Sequence, residues 1–367
     1  MEVWPDGLDA ATESTVVMAA GVTTMVDVQE AIPPERLGPW LAEHVPGARA
    51  ELRVEQLAGG ASNLTFRVRD GVHDWVLRRP PLSHVLATAH DMGREHRVQA
   101  ALAATDVPVA AQVVACTDDQ VIGAPFYVME RLDGAVYDDV DALPPDLTEE
   151  QGLAASYELV DVLARLHAVD PDAVGLGDFG RPAGYLTRQV ARWQTQWEKS
   201  KTVDNPVVEE VGARLARSVP AERGHGIVHG DYSFNNTMFR HDDPTRMQAI
   251  LDWEMSTLGD PLTDVGMLAV YWGDVGEIMW RSRPPQAHRA NAGFPAVDVL
   301  LERYASTSGT DLGEIDFYRA LATYKLAVIS QGAVRRVGDA DPDRVARTTE
   351  TISTLADQAF QLTKGFA

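Results

Sequence analysis

In the segment Ile227-Val228-His229-Gly230-Asp231-Tyr232-Ser233-Phe234-Asn235-Asn236, an apolar dipeptide runs into His-Gly-Asp, and an asparagine stands five residues after Asp231. A second apolar run, Ala249-Ile250-Leu251, ends in Asp252-Trp253-Glu254, with Asp252 sixteen residues beyond Asn236. Carboxylates and an amide delivered at the ends of apolar strands suit phosphoryl transfer. That reaction needs a carboxylate to orient and deprotonate the attacking hydroxyl, and oxygen ligands to hold Mg²⁺ between the β- and γ-phosphates.

The ordered set His229-Gly230-Asp231, Asn236 and Asp252-Trp253-Glu254 resembles the aminoglycoside phosphotransferase and choline kinase group, small-molecule relatives of the protein kinases. The resemblance runs from about residue 50 to 340. It implies ATP and Mg²⁺ as cofactors, Asp231 as catalytic base, Asn236 and Asp252 as Mg²⁺ ligands, and His229 as a support for the loop. Gly59-Gly60-Ala61-Ser62-Asn63 lies where glycines let backbone N–H groups approach phosphates, so Gly59, Gly60, Ser62 and Asn63 are expected at the nucleotide. Trp75-Val76-Leu77-Arg78 occupies the place of the kinase Val-Ala-Ile-Lys, and Glu95 on the next helix is set to pair with Arg78. Here the chain departs from the pattern, because arginine replaces lysine. A guanidinium still binds phosphate oxygens bidentately. Arg79 is an alternative contact, but strand alternation points it to the opposite face.

Met129, Glu130 and Leu132 resemble the hinge whose backbone amides pair with adenine, and Val76 is expected in the apolar wall of that pocket. After Asp252, Gly259-Asp260-Pro261-Leu262-Thr263-Asp264 resembles the group's short replacement for the protein-kinase activation loop, which argues against a protein substrate. Asp260 and Asp264 are read as capping the next helix and orienting the active-site loop. His167, Trp193 and Trp197 are read as packing residues. Tyr271, Trp272 and Trp280 flank an irregular stretch, and either line an acceptor pocket or lid or belong to the core.

The elements that must position these groups follow from periodicity. Residues 26–45 show helical spacing around Pro33-Pro34. Strand patterns cover 51–57, 64–68, 75–78, 113–115 and 126–129, with a helical pattern over 90–104 before the last two. Beyond Glu130-Arg131-Leu132-Asp133-Gly134, helices are expected at 149–168, capped by Thr148, and at 184–198, 206–218, 262–272, 296–307, 314–335 and 342–363. The expected fold is α+β and two-lobed, protein-kinase-like by the resemblance. Its N-lobe (26–131) is a small antiparallel sheet with one helix; its C-lobe (132–367) is larger and mainly helical. Residues 1–25 are read as a loosely ordered extension.

Composition sets limits. A net charge of −22, concentrated beyond residue 131, argues against nucleic acid or an anionic membrane as partner. The apolar stretch Val16 to Val26 is too short to span a bilayer and follows acidic residues, so the reading is cytoplasmic. One cysteine, Cys116, excludes an internal disulfide and is read as buried. Oligomeric state is left open.

The expected partner is a small-molecule hydroxyl acceptor. Ser62-Asn63, Val76 to Pro81, Gly123 to Glu130 and Tyr318-Arg319 through Gln331-Gly332 resemble the kinase-like domains fused to some acyl-CoA dehydrogenases. That resemblance favours a hydroxyacyl compound or its CoA thioester, with an aminoglycoside or amino alcohol next, toward which the acidic C-terminal part leans. A nucleotide-binding pseudokinase without turnover is the alternative, supported by Arg78.

Overall fold

The computed structural model describes residues 26–57, 63–82, 91–137, 144, 146–273, 293–337 and 341–366. The extension over 1–25, Gly59, Gly60, Ser62 and Trp280 lie outside the described residues.

The chain opens with α1 (Val28–Ala31), capped by the Asp27 carboxylate, and α2 (Pro34–His44), with Pro33-Pro34 breaking the two apart. Strands β1 (Arg53–Gln56), β2 (Leu64–Arg69) and β3 (Asp74–Arg79) follow, then α3 (Met92–Leu102), β4 (Gln112–Cys116), a short α4 (Asp119–Ile122) and β5 (Phe126–Glu130). The five strands form one antiparallel sheet in the order β1-β2-β3-β5-β4. Alternation divides its faces. Phe66, Val68, Trp75, Leu77, Phe126 and Val128 pack with Ile32, Leu37, Leu41 and Ile122 as one closed core. Arg79 shares that face, as expected, and its guanidinium donates to the carbonyls of Ala31 and Ile122. Val76 and Arg78 therefore face the other way, toward α3 and the rest of the chain. Cys116 is buried, which pushes its thiol pKa up.

The helical lobe is built on a second, larger core. Helix α5 (Glu149–Ala168) starts at a capping box in which Thr148 and Gln151 satisfy each other's backbone N–H groups. Then come α6 (Tyr185–Ser200), α7 (Pro206–Arg217), β7 (Gly226–Val228), β8 (Thr237–Arg240), β9 (Met247–Ile250), β10 (Thr257–Gly259) and α8 (Leu262–Trp272). Helices α9 (Val297–Ser308), α10 (Ile315–Val337) and α11 (Pro342–Leu362) complete it. Helix α10 is apolar on several sides because it packs against α6, α8 and α11 at once. Two small pairings lack a strong periodic signal: β6 (Gly134–Ala135) joins β8 and β9, and β7 joins β10. Val98, Leu102 and Val107 belong to the larger core, so α3 is the element that seats the sheet on the helices. Trp193 and Trp197 are buried, as read from their spacing. Among the described residues, no helix is long and apolar enough to cross a membrane.

Candidate active site

The segment His229–Asn236 leaves β7, makes one 3₁₀ turn (Phe234–Asn236) and enters β8. It is tied from both sides. Tyr232 is fully buried and its hydroxyl donates to the Leu159 carbonyl on α5 at 2.7 Å. Asp264, in the first turn of α8, accepts from the His229 and Gly230 amides, each at 2.7 Å, and pairs with His167 Nε2 at 3.3 Å. Burial opposes ionisation of Asp264, but the His167 bond, the nearby imidazoles and the backbone amide hold its carboxyl below the usual range. His167, read as a packing residue, thus also anchors this carboxylate, with its Nδ1 against the Tyr304 hydroxyl at 2.7 Å.

His229 fixes the turn itself. Its Nε2 lies 2.8 Å from the Leu251 carbonyl, while Nδ1 accepts from the Asp231 amide at 3.3 Å, which assigns the donor hydrogen to Nε2. Gly230 sits at φ +87°, and a Cβ there would meet the Met255 carbonyl oxygen at 2.7 Å. Only glycine fits between His229 and Asp231.

The β8–β9 hairpin brings the two later residues together. Thr237 lies opposite Ile250, and the Leu251 amide donates to the Asn236 carbonyl at 2.8 Å, which sets Asn236 beside the start of the Asp252 turn. Asp252 has φ +60° and ψ +66°, alone among the described non-glycine residues in the left-handed region. Such a conformation costs on the order of 1–3 kcal/mol and persists where the surroundings over-determine it, commonly at functional sites.

Asp231 is half-buried, with one carboxylate oxygen accepting from Tyr271 Oη at 3.1 Å and the other from Asn236 Nδ2 at 3.1 Å. Asn236 Nδ2 also reaches the Asp231 carbonyl at 2.8 Å, so its Oδ1 faces away as an acceptor. Burial, then the Asp231 charge, pushes the Tyr271 hydroxyl far above its usual pKa, so it remains a donor.

Arg78 crosses from the sheet to this centre. Its NH2 lies 3.0 Å from Asp252 Oδ1 and its NH1 3.4 Å from Glu95 Oε2, the pairing expected from sequence. Burial opposes its charge, but Tyr127, Glu95 and Asp252 together hold it above the ordinary arginine range. Glu95 is buried, which raises its pKa against the pull of Arg78, and it accepts from Tyr127 Oη at 2.9 Å. Asn63 is also buried: its amide donates to Glu95 at 2.7 Å and Glu254 at 3.2 Å, bridging the two lobes. That side chain is therefore held by two carboxylates at the lobe junction.

The hinge reading is narrowed. The Glu130 amide already donates to the Ala111 carbonyl at 2.8 Å and the Arg131 amide to Asp74 at 3.3 Å. Of these consecutive amides, Leu132 N–H is the one without an acceptor among the described residues. Val76 lies directly opposite Met129, on the face shared with Arg78.

The oxygen set fits Mg²⁺. Asn236 Oδ1 and the second Asp252 oxygen are hard donors that would suit it, and Mg²⁺ is ordinarily held by one or two such groups completed by water and phosphates. Among the described residues, no cluster of three or more His, Cys, Asp or Glu offers a dedicated metal cage.

Sequence reasoning missed Lys325. It is buried on α10, donates to the Gly230 carbonyl at 2.6 Å, and burial lowers its pKa. Its one visible signal is a lysine inside the apolar run Leu321 to Val328. Asp260 accepts from the Leu262 amide and from Tyr318 Oη at 2.7 Å, steadying the start of α8 as expected. A cavity of about 450 Å³ opens beside Gly230 and Lys325, with Trp193, Met255 and Tyr318 in its wall. Tyr271 touches the centre directly, whereas Trp272 packs into the core against Phe234 and Phe294.

Comparison with known proteins places this geometry in context. Residues 53–318 match the model of the phosphotransferase enzyme family. Acyl-CoA dehydrogenase family member 11 from Mus musculus is 34% identical over 339 residues, covering 89% of this chain and 42% of the relative. The chain thus spans less than half the length of that curated relative. A crystal structure from Ralstonia eutropha, provisionally named an aminoglycoside phosphotransferase, is 34% identical with a TM-score of 0.77, covering 91% of this chain and 98% of the other. An aminoglycoside phosphotransferase solved with AMP-PNP and hygromycin B shares the fold at 16% identity and a TM-score of 0.55, covering 88% of this chain and 97% of the other.

Proposed function

This chain belongs to the phosphotransferase enzyme family, and from that premise we propose that it transfers the γ-phosphoryl of ATP to a hydroxyl of a small molecule. The observation that carries the reading is the convergence of Asp231, Asn236, Asp252 and Arg78 around one point between the lobes. Residues 26–131 form the nucleotide-binding lobe and 132–367 the catalytic and acceptor-binding lobe. The acceptor oxygen attacks the γ-phosphorus, the bond to the β-phosphate oxygen breaks, ADP leaves, and the hydroxyl proton passes to Asp231. Tyr271 and Asn236 hold that carboxylate in place. Asn236 and Asp252 would hold Mg²⁺, which would supply charge neutralisation for the transferring phosphate. Arg78, steadied by Glu95, supplies positive charge to the phosphates from the sheet. Val76, Met129 and Leu132 take the adenine; Gly59, Gly60 and Ser62, outside the described residues, are assigned to the phosphates from the sequence resemblance alone.

The acceptor is a hydroxyacyl compound or its CoA thioester, an assignment supported by the 34% identity to an acyl-CoA dehydrogenase family member. The test is acceptor-dependent ADP release with Mg-ATP across hydroxyacyl-CoAs, free hydroxy acids, amino alcohols and aminoglycosides, with Asp252→Ala as the blank. A second reading, nucleotide binding without turnover, is favoured by the Arg78–Asp252 pair, which occupies one of the metal-ligand oxygens. Heat stabilisation by Mg-ATP with no ADP from any acceptor would select it.

A further inference from the structure

The cavity beside the catalytic loop carries a charge opposite to that of the chain. Arg94, Arg181, Arg188, Arg192 and Lys325 line it against one carboxylate, Glu254, in a protein of net charge −22. Among the described residues Arg94, Arg188, Arg192 and Lys325 are held by carbonyls and rings rather than by carboxylate ion pairs. Arg94 donates to the carbonyls of Phe179 and Ser256, and Arg188 to those of Ala183 and Arg181. Arg192 lies over Trp193, and Lys325 is fixed on the Gly230 carbonyl. Lys325 is 6% exposed and stands one residue from Asp231 through that carbonyl, so one end of the cavity lies at the catalytic loop.

We infer that this cavity is the acceptor subsite, and that it selects a hydroxylated molecule bearing a phosphate or carboxylate, held by the arginines at the start of α6. The inference rests on the phosphotransferase reading only in naming the hydroxyl as the end that meets Asp231. Guanidinium groups match both oxyanions bidentately. The field of the distant acidic surface is screened within about 8 Å at physiological salt, so the local cations decide what enters. A polyamine such as an aminoglycoside would bring like charge to all five.

The test is calorimetric titration of the intact chain saturated with Mg-AMP-PNP, which fills the nucleotide site and requires no turnover. The titrants are a hydroxyacyl-CoA, the matching hydroxyacyl-pantetheine, the free hydroxy acid and kanamycin. The CoA ester or the free acid should bind, and kanamycin should not. Preference for the CoA ester over the pantetheine ester identifies a phosphate as the anchor; equal binding of the free acid identifies a carboxylate. The double substitution Arg181→Gln and Arg192→Gln should weaken the bound anion roughly 10- to 100-fold. Arg181→Lys with Arg192→Lys, keeping the charge but not the bidentate fork, should lose less affinity than the glutamine pair, which separates charge loss from misfolding. The proposal fails if kanamycin binds more tightly than every anion, if no anion binds, or if the glutamine variant binds the anion unchanged. Anion binding without ADP release under turnover conditions would instead overturn the phosphotransferase reading and leave this one standing.

Discussion

Two hydrogen bonds restrain the Asp231 carboxylate, and the consequences of removing each differ. Replacing Asp231 with Asn keeps the shape but removes the proton acceptor, so kcat should fall about 10²- to 10⁴-fold while the melting shift caused by Mg-ATP persists. Near-original turnover in that variant would remove Asp231 from the base role. Tyr271→Phe deletes one restraint of 3.1 Å and leaves the Asn236 bond intact. A neutral donor to a charged acceptor is worth about 1.5–3 kcal/mol, so kcat should drop by roughly one to two orders of magnitude with little change in nucleotide affinity. Equal losses in kcat and in Mg-ATP binding would instead mean that Tyr271 supports the fold of the site. The motif residues were legible because His229, Asp231 and Asn236 lie within one short loop. The Tyr271 bond spans 40 residues and the Asn63–Glu254 bond 191, and no spacing rule connects partners that only tertiary packing brings together.

The His229–Asn236 loop hangs from the first turn of α8, and one buried carboxylate makes the attachment. Asp264→Asn keeps the size but sets an amide NH₂ against at least one backbone N–H that now donates to it. A buried donor left facing a donor, together with the lost charge, should cost about 2–4 kcal/mol in urea unfolding. The sign with pH follows from the depressed carboxyl of Asp264. Its contribution is fully present above the ordinary carboxylate pKa of the unfolded chain and is lost as pH falls through the lower folded value. The stability difference between wild type and Asp264→Asn should therefore shrink on acidification below about pH 4, and a constant difference from pH 7 to 3 would rule out this charge as the cause. At this scale the sequence was informative wherever local forces decide. The helix expected at 149–168 is α5 itself, because Thr148 caps it and its apolar stripe has the right period. The two-residue β6 and the β7–β10 pair went unread because their partners stand far along the chain, and α4 because a four-residue helix has no period to detect.

Across the whole molecule, two charge distributions coexist: a net −22, most of it beyond residue 131, and a cationic cavity beside the loop. They respond to salt with opposite signs. Like charges on a compact chain repel, and added salt shortens the reach of that repulsion from about 30 Å at 0.01 M to about 3 Å at 1 M. Stability should therefore rise with NaCl, each kcal/mol of relieved repulsion lifting the melting midpoint by about 1–2 °C in a chain of this length. An anionic acceptor meets attraction instead, so its affinity should fall over the same salt range. Surface ion pairs such as Arg240–Asp242 and Arg97–Asp178 weaken with salt as well, but exposed pairs contribute only about 0–1 kcal/mol each. Measuring the melting midpoint and acceptor affinity on one NaCl series separates the two fields. A midpoint that falls with salt would mean that ion pairs outweigh self-repulsion in this fold. An acceptor affinity indifferent to salt would mean that the cavity cations, though adjacent to the loop, are not what holds the acceptor.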